Sequence, residues 1–303
     1  MKSNWNLPLK RMWWFALSSW AYFRARRLNL IGHDFFLFGR KLGREFYRAD
    51  RKLAWDLIVT PVSSTRYYEF SFARDCLPSE PSTCLDVSSP FLFDIYVART
   101  YPAAHLDIIN PDPRDIGRTR TCFQNLQLPM INTVCGDINS MPRPPGGYDV
   151  IWSLSVIEHI ESKTDNDSSA VQSMFDALRP SGRLIITVPT DKSFQIEYRG
   201  KDYYRTQAQS PKNNSEKYFF QRIYDATAIH DRIIRPLGVT PERVGWYGEI
   251  IPGHFANYIS RWLRNNKSTT VWDPLEMARY YQIYDSWSAM PGAGVCGLLF
   301  IKP

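Results

Sequence analysis

Short apolar runs alternate with helix-length segments between Thr83 and Pro189, and this alternation is the most informative pattern in the chain. Runs of five or six residues have the length of a typical strand, and the segments between them are long enough for crossover connections. The predicted strands are Thr83–Val87, His105–Ile109, Ile131–Cys135, Tyr148–Trp152 and Arg183–Val188, with two later ones at Glu242–Tyr247 and Val295–Ile301. We therefore predict an α/β fold around a parallel sheet that is buried on both faces.

Ligands of such sheets bind outside the carboxyl ends of the strands, so the residues that follow each run are the candidates for chemistry. The first run leads into Ser88, Ser89 and Pro90. Ser89 suits a helix N-cap and Pro90 the first helical position. Backbone N–H groups at such a helix start can bind an adenosyl or nucleotide ligand.

Three further passages extend this pattern. Cys135–Asn139 reads Cys-Gly-Asp-Ile-Asn, the fourth strand leads to Glu158-His159, and Leu178–Gly182 reads Leu-Arg-Pro-Ser-Gly before the fifth strand. In order and spacing, Thr83 to Pro189 resembles the class I S-adenosylmethionine-dependent methyltransferases, in the branch whose fourth-strand motif ends in Glu-His. The resemblance implies a Rossmann-like, seven-stranded, mostly parallel sheet and S-adenosylmethionine as cofactor.

The resemblance also implies roles for individual residues. The acid of the first strand and its turn would lie under the methionine part of the cofactor, the residues after the third strand would face the adenine, and the end of the fourth strand would form the floor. The cofactor-binding set is then Asp86, Ser88, Ser89, Asp137, Ile138, Ser153 and Leu154.

Two departures from the family pattern affect this set. The first motif is normally glycine-rich because glycine lets the backbone approach the cofactor closely, whereas this chain has Ser88-Ser89-Pro90. The acid that normally ends the second strand and binds the ribose is replaced by isoleucine, so we expect Asn110 or Asp112 to reach the ribose instead.

Glu158 and His159 are the candidate catalytic residues. By the resemblance they point towards the methyl acceptor, and His159 could act as a general base near neutral pH. The alternative is a structural histidine, because methyl transfer to a reactive acceptor depends mainly on positioning. No metal site is predicted.

Residues 1–60 form a basic, aromatic extension that is predicted to be helical. Pro8 to Leu30 has a tryptophan-rich apolar helix face next to arginines, and the uncharged run Met12–Phe23 is shorter than the roughly 20 residues of a membrane span. We predict neither a transmembrane helix nor a cleaved signal. Two interpretations stay open: a helix lying in the interface of an anionic membrane, or a cap helix packed on the domain.

The rest of the chain, 61–303, is predicted to be one methyltransferase-like domain with insertions at 190–217 and 248–294. A second amphipathic helix is expected from Phe35 to Pro61, and Phe219–Ile234 is also expected to be helical.

The charge distribution and the cysteine content limit which partners and which cellular compartment are expected. The chain carries a net charge of +7, but residues 1–52 hold twelve basic and three acidic residues, so the remainder is slightly acidic. A nucleic-acid enzyme would carry its basic surface around the catalytic cleft, so nucleic acid is not a favoured partner. Five cysteines without a C-x-x-C pair fit a reducing compartment. We expect a cytoplasmic protein, either free or peripheral on the inner face of the membrane.

The predicted function is O-methylation of a sugar or lipid-linked glycan, from a likeness to methyltransferases of bacterial surface-polysaccharide pathways. The alternative is a methyltransferase-fold protein without catalysis that serves as a binding or scaffold subunit, because the motif glycines and the ribose acid are missing. A nicotinamide dehydrogenase is disfavoured because no G-x-G-x-x-G follows the first strand. The oligomeric state is left open.

Overall fold

The computed structural model describes residues 7–88, 91–128, 130–138, 141–160, 166–200 and 217–303. These residues fall into two compact units. The first, called here the helical unit, comprises 7–72 and Tyr247–Gly294, and the second, the sheet unit, comprises Ala73–Trp246 and Val295–Pro303. The segment predicted as an insertion at 248–294 thus belongs to the same unit as the N-terminal helices.

The strands are Thr83–Val87 (β1), His105–Asn110 (β2), Ile131–Cys135 (β3), Tyr148–Leu154 (β4), Leu178–Thr190 (β5), Gln195–Arg199 (β6), Tyr218–Ile223 (β7), Arg243–Glu249 (β8), Tyr281–Tyr284 (β9) and Gly294–Ile301 (β10). The large sheet has the order β3-β2-β1-β4-β5-β10-β8-β9, which is eight strands where seven were expected, and β1 to β5 pair in parallel. The predicted α/β fold with a mostly parallel sheet is confirmed, and all seven predicted strands are present.

The helices are Leu7–Arg26 (α1), His33–Phe46 (α2), Arg51–Val59 (α3), Arg66–Cys76 (α4), Phe91–Thr100 (α5), Pro113–Asn125 (α6), Asn166–Asp176 (α7), Ala226–Ile229 (α8), Arg235–Leu237 (α9), His254–Thr270 (α10) and Asp273–Tyr280 (α11). A π-helical turn, His230–Ile234, joins α8 to α9.

Helices cover both faces of the parallel strands. Trp152 of β4 packs edge-on against Phe93 of α5, with ring centroids 5.6 Å apart. Its neighbour Ile151 points to the opposite face because side chains alternate along a strand, and there it belongs to a buried cluster with Val171 and Met174 of α7. This double coverage explains why the strands read as continuous apolar runs.

Gly182 shows why the turn before the fifth strand requires glycine. A Cβ atom there would stand 2.8 Å from the carbonyl oxygens of both Arg179 and Tyr148, closer than real Cβ contacts allow. The turn is part of β5, where the pairing with β4 shifts register after Tyr148. The Pro-x-Gly motif therefore marks a bulge within the strand.

The segment between β5 and α8 differs from its prediction. Gln195–Arg199 and Tyr218–Ile223 form an antiparallel hairpin, called here the β6–β7 hairpin. The predicted helix Phe219–Ile234 is wrong in its first part, because Tyr218–Ile223 is a strand and the helix begins at Ala226. A short apolar run suits either element, and pairing with β6 decides between them.

The helical unit also corrects one prediction. The single helix expected from Phe35 to Pro61 is two helices, because Asp50 acts as the N-cap of α3 and accepts hydrogen bonds from the N–H groups of Lys52 and Leu53, both at 2.9 Å. Gly43 of α2 lets α3 approach, since a Cβ there would stand 2.7 Å from the carbonyl oxygen of Ala54.

Arg40 joins α1, α2 and α3. Its guanidinium donates to the carbonyl of Ile58 at 2.9 Å and to the hydroxyls of Ser18 and Ser19 at 3.0 Å. Burial lowers the pKa of Arg40 to about 10. The α1 helix thus packs through its small polar side, on which Ser18 is fully buried. Among the described helices, none is both long and apolar enough to cross a membrane.

Candidate functional site

Three loops meet at the carboxyl edge of the parallel strands. The N–H of Ser88, just after β1, donates to the carbonyl of Ile109 in β2 at 2.9 Å. The N–H of Gly136, just after β3, donates to the carbonyl of Asn110 at 3.1 Å. The structure therefore brings Ser88, Asn110 and Asp137 to neighbouring loop mouths.

Ser88 stands where the family resemblance leads us to expect glycine. Its φ angle is 58°, in the left-handed region that costs a residue with a side chain roughly 1–2 kcal/mol. Its hydroxyl donates to the carbonyl of Ile109 at 2.9 Å, and such a bond offsets about 1 kcal/mol of that cost. The turn keeps a glycine-type backbone, but both donors of Ser88 are used on β2. The next predicted residue, Ser89, lies outside the described residues.

Asn110 and Asp112 stabilise the turn into α6. Asn110 Oδ1 accepts from the N–H of Asp112 at 2.8 Å. Asp112 is the N-cap of α6 and accepts from the N–H of Arg114 at 2.8 Å and from its guanidinium. The hydrogen bond from the Arg114 side chain lowers the pKa of Asp112 to about 2. The carboxylate expected at the ribose is thus ionised and engaged by its own helix.

Asp137 and Ile138 differ in exposure. The side chain of Asp137 is exposed, whereas Ile138 is half-buried and packs against the hydrophobic cluster under the sheet. Ile138 therefore anchors the loop after β3 while the neighbouring carboxylate stays at the surface. Their contact with an adenine ring remains a prediction.

Two carboxyl groups are buried beside the end of β1. Asp86 in β1 and Asp94 in α5 have no exposed surface, and neither oxygen of Asp94 has a hydrogen-bond partner among the described residues. Burial raises the pKa of Asp94 well above its usual range, and the nearby Asp86 raises it further. The neutral, protonated form of Asp94 is therefore favoured in the folded protein.

Asp94 was not among the residues predicted for the site. Its signal was an acidic residue inside the apolar run Phe91–Ala98, where every neighbour favours burial. A carboxyl group placed in such a run costs free energy unless it is protonated or satisfied by a ligand. Asp94 thus joins the candidate site as a buried acidic group that no motif indicated.

Ser153 and Leu154 form the buried end of β4. The Ser153 hydroxyl has no hydrogen-bond partner among the described residues, and neither has the indole N–H of Trp152. The chain then turns at Ser155, whose φ is 51°. Buried polar groups of this kind are normally satisfied by a ligand or by water. A hydroxyl and an acidic pair at this edge fit a ligand that carries both positive charge and hydrogen-bonding groups.

His159 is held in one orientation by the β6–β7 hairpin. It ends a short 3-10 helix, Ile157–His159, and its Nδ1 lies 2.8 Å from the carbonyl oxygen of Phe220. A carbonyl can only accept, so Nδ1 carries the proton and Nε2 keeps its lone pair in the neutral ring. Nε2 lies 3.7 Å from Glu158 Oε1, beyond a direct hydrogen bond. The side chain of His159 is one quarter exposed, whereas Glu158 is buried.

Aromatic and cationic side chains of the hairpin surround this histidine. The Phe220 ring packs edge-on against the His159 ring, with centroids 5.4 Å apart. Arg199 places its guanidinium 3.3 Å from the centroid of Phe220, a cation–π contact. Arg222 donates to the carbonyl of Ile160 at 2.7 Å, directly after the 3-10 helix. The hairpin therefore fixes both the ring of His159 and the backbone beside it.

A buried carboxylate fastens the end of the hairpin. Asp167 of α7 accepts from the hydroxyl of Tyr224 at 2.9 Å and from two nitrogens of Arg232 at 2.8 and 2.5 Å, and Arg222 lies 3.7 Å away. Burial alone would raise the pKa of Asp167, but the bonds from Arg232, the charge of Arg222 and the bond from Tyr224 outweigh it, so the pKa is lowered. Asp167 is therefore an ionised anchor for Arg222, Tyr224 and Arg232.

The buried acid Asp94 predicts an unusual dependence of stability on pH. The folded protein holds a proton on Asp94 that the unfolded chain releases above a pH of about 4, so the free energy of unfolding should fall as pH rises. Urea denaturation between about pH 5 and about pH 8 should show this slope for the wild type, and Asp94→Asn should flatten it. Asp86→Asn removes only the neighbouring charge and leaves Asp94 buried, so a smaller dependence of the unfolding free energy on pH should remain. Identical profiles for wild type and Asp94→Asn would contradict this account.

Similarity to solved structures was found for proteins of several activities. The [4+2]-cyclase SpnF is 15% identical, with 80% of this chain and 84% of that chain covered and a TM-score of 0.49. Coclaurine N-methyltransferase is 12% identical, with 78% and 70% covered and a TM-score of 0.48. The N-methyltransferase NodS from Bradyrhizobium japonicum is 16% identical, with 78% and 87% covered and a TM-score of 0.44. Shape similarity at this level says nothing about the activity of the present chain.

A family match covers the central part of the sheet unit. Residues 92–186 match the family described as "Methyltransferase domain". No protein of curated function matches the sequence. The matched segment runs from α5 through β5 and contains Asp94, Asp137, Ser153 and His159. Residues 92–186 of this chain are therefore similar to a methyltransferase domain.

Proposed function

We propose that the protein methylates a hydroxyl group of a sugar or of a lipid-linked glycan. The observation that carries this proposal is the orientation of His159. Its Nδ1–H is fixed on the carbonyl of Phe220, so Nε2 is the ring nitrogen that carries the lone pair, and Oε1 of Glu158 lies 3.7 Å from it. A neutral imidazole with one nitrogen anchored is the arrangement required of a general base.

The cofactor-binding residues that we propose lie at the carboxyl edge of the sheet. S-adenosylmethionine, when bound, supplies an electrophilic methyl group on a positively charged sulfur. The buried acids Asp86 and Asp94 fit a cationic ligand, and the Ser153 hydroxyl offers a polar group without a partner among the described residues. Asp137, exposed after β3, would accept from the amine of the adenine. Asn110 rather than Asp112 would reach the ribose, since Arg114 engages the Asp112 carboxylate.

The chain's own residues would then act on the acceptor proton. Nε2 of His159 would take the proton from the acceptor hydroxyl, which makes the oxygen a better nucleophile. The imidazolium formed in this way would lie beside Glu158, whose carboxylate would stabilise the positive charge. Phe220 would hold the ring in place before and after the proton moves.

Support for a glycan acceptor comes from the β6–β7 hairpin. Tyr198 is exposed, and Arg199 and Phe220 stack beside His159. Flat aromatic rings and a planar guanidinium suit the ring and hydroxyl groups of a sugar. The predicted insertion 190–217 would contribute Tyr198 and Arg199 to this surface, and its residues 201–216 lie outside the described residues.

A membrane surface is the proposed partner of α1. The apolar face predicted for this helix is exposed: Met12 by 67%, Trp13 by 65% and Phe23 by 51%. This exposure favours the interfacial interpretation over the cap-helix interpretation, because a cap helix would bury the same side chains. We therefore propose peripheral attachment to an anionic membrane, where a lipid-linked acceptor would also be found.

A scaffold without catalysis is the second candidate function. It is favoured by Ser88, which uses both of its donors on Ile109, and by Asp112, which is engaged by Arg114. Both contacts occupy groups that a cofactor would otherwise use. If the protein is a scaffold, its function should survive the substitutions Asp86→Ala and Asp137→Ala.

Isothermal titration with S-adenosylmethionine separates the two functions. We expect saturable binding that is weakened at least about 10-fold in Asp86→Asn and Asp137→Ala, because each change removes a charged acceptor. Asp285→Ala, which removes an exposed acid of the helical unit, is the matched control and should bind normally. No heat at millimolar cofactor, with a folded protein, would reject the enzymatic function in favour of the scaffold.

His159→Gln tests the general base. Transfer of labelled methyl groups into extracted glycolipid should fall by about 10²–10⁴-fold, while cofactor affinity stays unchanged. The acidic limb of the pH profile that protonation of the base produces should disappear. His230→Gln, at a largely exposed histidine, is the control. A loss below about 10-fold would mean that His159 only positions the acceptor.

Flotation with vesicles tests membrane attachment. The wild type should float with vesicles that contain phosphatidylglycerol, and a triple change to serine at Met12, Trp13 and Phe23 should reduce binding at least about 10-fold because it removes apolar area. The control is the same triple change at three exposed apolar residues outside α1, namely Leu37, Tyr47 and Leu263. Wild-type protein that stays soluble would reject the attachment.

A further inference from the structure

A groove lies between α1 and α3 in the helical unit, with a volume of about 460 Å³. Four cationic side chains and two indole rings line it: Lys10, Arg11, Trp14, Arg51, Lys52 and Trp55. Asp56 is the acidic residue among its lining residues. A groove of this size can hold a small organic group, and its charge selects an anion.

The two cations at the start of α3 are unfavourable for the stability of that helix. Arg51 and Lys52 are the first two residues of α3, where positive side chains oppose the helix dipole and cost stability. Asp50 already caps this end, so the two cations are not needed to satisfy backbone groups. Binding of an anionic ligand explains the position of Arg51 and Lys52 better than stabilisation of α3 does.

The tryptophans give the groove apolar walls. Trp14 and Trp55 are half-buried, and the Arg11 guanidinium lies 5.6 Å from the ring centroid of Trp55, which orients the cation over the ring. A free phosphate ion would contact the cations but would leave these rings unused. A ligand that is anionic at one end and apolar at the other uses both.

The groove also adjoins the exposed apolar face of α1. Trp13 and Trp14 are successive residues of the helix and so point about 100° apart, one outward and one towards α3. A bilayer that received Trp13 would therefore bring its headgroups to the level of Lys10 and Arg11. Indole rings and basic side chains are the groups that occupy this depth in membrane interfaces.

We infer that the groove is a binding site for the headgroup of an anionic phospholipid within a bilayer. The phosphate would lie among Lys10, Arg51 and Lys52, and the glycerol and upper acyl carbons would lie against Trp14 and Trp55. This inference rests on the proposed membrane attachment and adds a specific site to it. It makes no use of the methyltransferase residues.

The test compares two sets of charge removals in the full-length protein. The groove set is Lys10→Gln, Arg51→Gln and Lys52→Gln together, and the control set is Lys41→Gln, Arg44→Gln and Arg48→Gln, which removes the same charge from exposed residues that do not line the groove. Partitioning is measured by co-sedimentation with vesicles of phosphatidylcholine alone and of phosphatidylcholine mixed with phosphatidylglycerol. We expect the groove set to lose roughly 100-fold in partitioning to the anionic vesicles, and the control set less than about 10-fold.

Three outcomes would overturn the inference. Equal losses in the two sets would indicate diffuse attraction, no loss in the groove set would remove the site, and effective competition by soluble glycerophosphoglycerol would indicate a site for free anions. Thermal unfolding of the groove set should match or exceed that of the wild type, since it relieves the charges at the start of α3. If the wild type binds vesicles and the groove set binds equally, only the groove fails; if the wild type binds none, the proposed attachment fails with it.

Discussion

The candidate site depends on one buried carboxylate, Asp167. Its bonds to Tyr224 and Arg232 and its proximity to Arg222 join α7, the end of β7 and the π-helical turn. Without that negative charge, the buried guanidinium of Arg222 and the half-buried one of Arg232 would lose their anionic partner, which costs more than the loss of one hydrogen bond. The β6–β7 hairpin stays on the sheet unit because Asp167 holds its end there, and the hairpin in turn supplies the carbonyl that orients His159.

Periodicity made the sheet predictable. The strands β1, β2 and β4 are almost entirely buried, so their apolar runs could be read from the sequence, whereas the edge strand β3 is partly exposed. The residues after these strands lie at one edge as expected. The ends of helices and strands that depend on local capping or on strand pairing were harder to predict. Asp50 divides the expected second helix because its carboxylate satisfies two N–H groups, and Tyr218–Ile223 becomes a strand because β6 is available to pair with it.

The site was predictable only in part. Motif order located the loops, but it could not indicate that Ser88 would keep a left-handed turn or that Arg114 would engage Asp112. The tautomer of His159 is set by Phe220, which lies 61 positions later in β7. Contacts at such sequence separation follow from tertiary structure and not from local pattern. Likewise, the sequence pattern of α1 defined an apolar face. That face is exposed because the opposite side of α1 is buried, where Ser18 accepts a hydrogen bond from Arg40.

The division of the chain between its two units has a consequence for biosynthesis. The helical unit is assembled from the first 72 residues and from Tyr247–Gly294, so the polypeptide leaves this unit and returns to it only after most of the sheet unit has been made. On the ribosome, the early helices must therefore wait for more than half of the translation time before their partners emerge, with the apolar side chains of α1 already accessible. Nascent chains of this protein should be clients for chaperones or for the membrane surface well before the last strand, β10, completes the fold.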